Sequence, residues 1–363
     1  MNFFYIYSIN IKILFILDIT FIKTMETIKT MKTMEIHPLD LALEQSINGR
    51  PEKSEEILRE LDQNDLRVLF NLGWHEMRKG NMKKAFEHFN YGRYINVFGL
   101  PALPGKIWKD ESLEGKTLLF RCEGGYGDQI LNFRFAQKFK EMGARVLVSC
   151  APEIKALFSR HGYICVDNEI VMGAHYDYWV PAMSAPFLLN MEYEDLDGSP
   201  FITPIEKRKL FAKPNSLKVG IRWSGSPDFE DEQHRRFDPE LMIGLSDIPN
   251  TTFFSLQRDE NCVDGLPFGD MREQMKTWED TASIIAGCDL IITSCTSVAH
   301  LSASMGIPTW IVTPIMPYYT WAVPGNTSRW YDSVRLFRQT KYGEWDVPFK
   351  EIREELTKLA EKK

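Results

Sequence analysis

Two textures divide the chain. From His37 to about Gly99 apolar residues recur at helical spacing, as in "VLFNLGWHEMRKGNMKKAFEHFNYGRYI", whereas from Thr117 onward short apolar runs alternate with amphipathic stretches. In the first region Leu72, Gly73, Gly80, Ala85, Phe89 and Gly92 carry tetratricopeptide-like spacing, and Gly49, Ser54 and Leu58 anticipate Gly80, Ala85 and Phe89 at a constant offset. Residues 37–99 are therefore read as a degenerate pair of helical repeats. Two such units complete no core alone, so the segment is expected to pack on the next domain; a groove for a protein partner is the alternative.

Beyond the linker "LPALPGKIWKDESLEGK", the runs "TLLFRCEG", "ARVLVSCA", "YICVDN" and "YDYWVPAM" predict strands, with "DQILNFRFAQKFKEMG" and "PEIKALFSRHG" as the helices between them. That order implies a parallel sheet with right-handed crossovers, a first lobe over residues 115–205. Proline-punctuated "PFITPIEKRKLFAKPNSLK" leads to a second lobe, 216–348, with strands "LKVGIRWSG", "TTFFSLQ", "DLIITSCT", "PTWIVTP" and "SVRLFRQ". Its helices are expected near Pro239 to Leu245, Thr281 to Ala286 and Ser297 to Met305, and an amphipathic helix occupies 349–363. The fold class is α/β: two Rossmann-like lobes facing across a cleft, with ligands expected beyond the carboxyl ends of the strands.

Composition narrows the partners. A chain of 363 residues suits two domains and an appendage, and a net charge of −7 argues against a nucleic-acid partner. Cys122, Cys150, Cys165, Cys262, Cys288 and Cys295 are scattered without a C-x-x-C pair, so no metal site is expected and a reducing cytoplasm is the expected compartment. The apolar start "MNFFYIYSINIKILFILDITFIK" is interrupted by Lys12 and Asp18, each costing roughly 2.5–3.5 kcal/mol near a bilayer centre. It lacks a basic start and a small-residue cleavage site, so residues 1–36 are read as a low-complexity or disordered extension, with a membrane anchor as the alternative.

The candidate chemistry sits at strand ends. In "RCEGGYGDQILNFRF", Asp128 falls on the first turn of a helix, where a carboxylate either caps the backbone or faces a ligand. "EGGYGDQILNFRF", "VGIRWSGSP" with the later "HRRF", "FFSLQ" and "DLIITSCTSVAHLSASMGIPTWIVTP", in this order, resemble glycosyltransferase family 9, the heptosyltransferase-like proteins, particularly members with tetratricopeptide repeats before the transferase. The likeness runs from about Leu118 to Leu359. It implies a GT-B fold and transfer of a sugar from a nucleotide-diphosphate sugar to an acceptor hydroxyl, typically with inversion and without a metal or other cofactor. The acceptor is a glycan, a lipopolysaccharide or a protein.

The resemblance places the catalytic base at Asp128, with Gly124, Gly125 and Gly127 in the acceptor-side loop; Glu123 is the rival base, or orients Arg121. In the second lobe the helix start at Thr296 and Ser297 offers N–H donors to a phosphate, and the likeness puts His300 near the diphosphate. Arg222, and one of Arg235 and Arg236, would hold the diphosphate; the plainer role of that pair is to neutralise Glu230, Asp231 and Glu232. Gln257 is expected to meet the nucleotide, and Trp223, Trp310, Trp321 and Trp330 are either core or stacking surfaces. Many family members have aspartate immediately before the threonine where this chain has Cys295, a departure that admits a binding or scaffold protein without catalysis. A nucleotide-sugar epimerase is disfavoured because the paired glutamate and histidine sites it requires are not evident.

Overall fold

The computed structural model describes residues 37–98, 103–167, 171–229, 232–258 and 265–363. The extension 1–36, Glu230, Asp231 and Cys262 lie outside the described residues.

The chain opens with helices α1 (Pro38–Ile47), α2 (Pro51–Glu60), α3 (Leu66–Arg78) and α4 (Met82–Asn90). The His37, Asp65 and Asn81 side chains cap α1, α3 and α4 by accepting from backbone N–H groups of the first turn, and proline opens α1 and α2. Gly49 and Gly80, at φ 70° and 80°, end the first helix of each pair in the left-handed conformation glycine favours. At Gly73 a Cβ would come within 2.8 Å of the Phe89 ring, so the α3–α4 crossing requires glycine there. An all-α segment of two helix pairs is thus present.

Lobe 1 contains β1 (Lys106–Ile107), β2 (Thr117–Arg121), α5 (Tyr126–Glu141), β3 (Arg145–Cys150), α6 (Lys155–Ser159), β4 (Ile164–Asp167), β5 (Tyr178–Pro181) and α7 (Ala185–Leu188). Lobe 2 contains β6 (Leu217–Arg222), α8 (Glu232–Arg235), α9 (Pro239–Ile243), β7 (Thr251–Ser255), β8 (Gly269–Asp270), α10 (Trp278–Gly287), β9 (Leu290–Ser294), α11 (Ser297–Ser304), β10 (Thr309–Thr313), β11 (Val334–Arg338) and α12 (Asp346–Ala360). The sheet orders are β1-β5-β2-β3-β4 and β11-β10-β9-β6-β7-β8, and every pairing is parallel. Strand order reverses beside β2 in one sheet and between β6 and β9 in the other, the switch points where such sheets leave a crevice. This is the α/β, GT-B arrangement of two Rossmann-like lobes.

One apolar cluster joins all three parts, running from Trp74, Phe86 and Phe89 through Phe133 and Phe135 to Trp321 and Trp330. Phe86 packs edge-on against Tyr319 at 5.4 Å between ring centroids, so the helical segment sits on lobe 2 as well as on lobe 1. A second cluster, in which Phe237 meets Phe349 beside Ile352 and Leu356, seats α12 on lobe 2. Trp223, Trp310, Trp321 and Trp330 are all buried in these cores. Among the described residues no helix is long and apolar enough to cross a membrane.

Candidate active site

The turn after β2 depends on one glycine. Gly124 has φ 74°, and a Cβ on it would lie 2.5 Å from Asp128 Oδ2, so only glycine lets that carboxylate fold back over the turn. Oδ2 there accepts the Gly125 N–H at 2.9 Å, the capping role open to an aspartate in a first turn. The other oxygen, Oδ1, accepts from the Tyr318 hydroxyl at 2.7 Å, across from lobe 2. Capping therefore accounts for half of this carboxylate.

Two helices meet at this point. A Cβ at Gly127 on α5 would stand 3.2 Å from His300 Cδ2 and 3.4 Å from Ser297 Cα on α11, so the two helix starts face each other at close range. Between them and the loop after β6 lies a cavity of about 510 Å³, of the size that holds a small ligand. Gly124, Gly125, Gly127 and Asp128 line it from lobe 1; Arg222, Arg235, Thr296, Ser297 and His300 line it from lobe 2. Residues predicted separately from two distant stretches of sequence thus share one cavity.

Each cation is held in a defined pose. Arg235 donates through Nε to Glu232 at 2.5 Å and through a terminal nitrogen to the Cys295 carbonyl at 2.6 Å, with its guanidinium 4.3 Å over the Phe229 ring. Glu232 in turn accepts the Gly225 N–H, which ties the β6 loop to the same arginine. Arg222 donates to the Leu256 carbonyl at 2.9 Å. The pair is split: Arg236 is exposed and does not line the cavity.

Burial sets the protonation states. His300 is 4% exposed, with Nδ1 3.0 Å from the Tyr331 hydroxyl and its ring stacked on Trp321. Loss of solvent, with Arg134 and Arg235 nearby, pushes its pKa down to about 3, so the imidazole is neutral at pH 7. Burial raises the Asp128 carboxyl above its ordinary value, opposed by the hydrogen bonds from Tyr318 and Gly125 and by the charge of Arg235. The Cys295 thiol is pushed up to about 11 by burial and accepts from Trp321 Nε1 at 2.9 Å, which removes it as a nucleophile.

Two expectations are corrected. Glu123 does not line the cavity as a base: it forms a buried bidentate pair with Arg93, both contacts at 2.8 Å, and its charge acts on Arg121 without a hydrogen bond to it, while Arg121 donates to Ser149. Gln257 is fully buried, accepts the Trp223 and Ser224 N–H groups at 3.3 Å and donates to Ser224 Oγ at 2.9 Å, so it braces the β6 loop instead of lining the cavity. Sequence reasoning missed Tyr126, Asp228, Phe229 and Tyr318, all of which line it. Phe229 and Asp228 were hidden in a stretch that reads as an ordinary acidic loop. Tyr318 carried no signal, because its partner is remote in sequence. Among the described residues no group of three or more His, Cys, Asp or Glu side chains is arranged to hold a metal ion.

No family model matches the chain. Protein FlbA of Caulobacter vibrioides is 25% identical over 292 residues, 67% of this chain and 47% of that protein, so the chain spans about half the length of this relative. Among solved structures, the iron-containing dodecameric glycosyltransferase TibC from enterotoxigenic E. coli H10407 is similar with a TM-score of 0.45 and 13% identity, covering 71% of this chain and 76% of TibC. The E. coli ADP-heptose lps heptosyltransferase II gives a TM-score of 0.44 at 13% identity, over 68% of this chain and 99% of that one. A glycosyl transferase family 9 protein from Veillonella parvula gives 0.40 at 13%, over 63% and 87%. At these scores the likeness bears on neither activity nor substrate. The chain is similar to the heptosyltransferase-like glycosyltransferases of family 9, whose motifs its own sequence resembles.

Proposed function

We propose that the protein is a glycosyltransferase that moves a sugar from a nucleotide-diphosphate sugar to an acceptor hydroxyl, heptosyltransferase-like, inverting and independent of a bound metal. One observation carries this reading: a carboxylate from lobe 1 and anion-binding groups from lobe 2 line the same cavity. The diphosphate is assigned to the N–H groups and hydroxyls at Thr296 and Ser297, with Arg235 and Arg222 supplying positive charge. His300, neutral, is assigned a hydrogen bond to the donor.

In this mechanism the acceptor oxygen attacks the anomeric carbon from the face opposite the diphosphate. Its proton passes to Asp128 as the new C–O bond forms, and the electron pair of the breaking bond leaves on the diphosphate. Fixed arginine charge stabilises that leaving group without rearrangement, the preorganised electrostatics that contributes most to such reactions. The acceptor is assigned to a glycan, lipopolysaccharide or protein, and the compartment to the cytoplasm. The helical segment packs on both lobes, and a protein partner for it is kept as the alternative to that packing role.

A second reading has a specific observation behind it. Cys295 stands where many family members have aspartate, and its thiol is spent on Trp321. A protein that binds nucleotide sugar without turning it over would tolerate that change.

The test is calorimetric titration with ADP, UDP and GDP. Arg235→Ala should weaken diphosphate binding roughly 10- to 150-fold, the loss of one charge-assisted contact of about 1.5–3 kcal/mol, while Arg236→Ala leaves it unchanged. Arg235→Lys, which keeps a charge, should recover part of the affinity. Equal affinity in Arg235→Ala and wild type would assign Arg235 to the β6 loop alone.

A further inference from the structure

The hydrogen bond from Tyr318 to Asp128 crosses the cleft, and behind the tyrosine, beside its lobe 2 neighbour Tyr319, stands the helical segment. Tyr318 follows β10 and its ring lies 6.1 Å from that of Trp74 on α3. Its neighbour Tyr319, 4.3 Å away between centroids, packs on Trp74, Phe86 and Phe89 at 6.4, 5.4 and 5.9 Å. An aromatic stack rooted in the helical segment therefore ends at the Asp128 carboxylate. A second tie runs to the other side of the same turn: Arg93, just past α4, holds Glu123, the residue before Gly124.

We propose that Tyr318 is the positioning residue of the Asp128 carboxylate, and that the helical segment, through Trp74 and Arg93, holds the two partners in place. This rests on the reading of Asp128 as the base. A half-buried carboxylate at the wall of the cavity acts in one geometry only where its oxygens are held by fixed donors. Gly125 N–H fixes Oδ2 and Tyr318 fixes Oδ1, and the carboxylate has more lone pairs than its donors fill, which leaves room for an acceptor hydroxyl. The other groups facing Asp128 are Arg235 from α8, Cys295 before α11, and the Tyr319 and Tyr331 hydroxyls; the backbone N–H groups of Gly125 and of Asp128 itself donate to its carboxylate from within the turn, and Tyr318 donates from the other lobe. The helical segment is thereby part of the catalytic centre, in addition to any partner it binds.

The experiment needs no substrate. In the full chain labelled with carboxyl-¹³C aspartate, the Asp128 resonance is assigned by its loss in Asp128→Asn and then titrated. Tyr318→Phe keeps the ring against Trp74 and Tyr319, so the fold should persist while the Asp128 midpoint moves to higher pH, because a donor favouring the ionised form is gone. Trp74→Ala should move it in the same direction, and Trp74→Phe should restore most of the shift. An unmoved midpoint in Tyr318→Phe overturns the role of Tyr318; an unmoved midpoint in Trp74→Ala overturns that of the helical segment. If Tyr318→Phe does not fold, the Trp74 pair still decides the second half, and 3-fluorotyrosine in place of tyrosine, a stronger hydroxyl donor, should move the midpoint down. Loss of the base reading is separate: it appears as undiminished sugar transfer in Asp128→Asn, whatever the titration gives.

Discussion

Removing Arg93 should loosen the helical segment and the Gly124 turn together. The Arg93 and Glu123 side chains are 2% and 5% exposed, and their two contacts are both 2.8 Å. Without the guanidinium the carboxylate keeps the Met183 N–H, at 3.2 Å, as its hydrogen-bond donor. A buried charge left in that state costs about 3–5 kcal/mol, whereas exchanging both partners for apolar side chains of similar size is often near neutral. Arg93→Ala should therefore destabilise by about 3–5 kcal/mol, and Arg93→Met with Glu123→Met by much less than the sum of its single changes. Chains with several packed parts commonly depart from two-state unfolding, so the measurement is native-state hydrogen exchange at α4 and at residues 124–130, read as local opening free energies. Exchange in Arg93→Ala within about 0.5 kcal/mol of wild type, or a strictly additive double change, would refute a coupled buried pair.

Two further outcomes follow from burial and close packing. Burial pushes His75 down to about 4 and His300 down to about 3, so the unfolded chain takes up their protons first as pH falls. Stability from each is complete above about pH 6.5 and is lost as pH drops towards 4 for His75 and 3 for His300, on the order of 3 kcal/mol for the first and about 5 kcal/mol for the second. His75→Gln should flatten the fall in melting temperature between pH 6.5 and 4, and an unchanged slope would contradict the assignment. Gly127→Val forces a branched side chain between α5 and α11, where a Cβ alone would stand 3.2 Å from His300; about 1–3 kcal/mol of stability and much of the diphosphate affinity should be lost. A variant unchanged in both would contradict the close approach of those helices.

The lobes were legible because parallel strands buried on both faces write continuous apolar runs, and those runs mark β2–β7 and β9–β11. β1 and β8 were missed: two residues each is too short for any period to register, and β1 lies inside what reads as a linker. The switch-point glycines and Asp128 were legible because a strand-to-helix turn has its own residue chemistry. Contacts between remote segments were not. Nothing in sequence ties Glu123 to Arg93, Tyr318 to Asp128, or Gln257 to the backbone of Trp223 and Ser224. Arg235 and Arg236 read alike, yet the helical turn points only the first into the cavity.

The most direct measurement is sugar transfer by Asp128→Asn. The amide keeps the size of the carboxylate and an oxygen for the Gly125 N–H, so melting temperature and nucleoside-diphosphate affinity should stay close to wild type. With a donor identified by a binding screen of nucleotide sugars, transfer and slow donor hydrolysis are followed in both proteins. A base at Asp128 predicts turnover lower by roughly 10²–10⁴-fold with binding retained. Equal turnover would contradict it and leave Asp128 a structural cap.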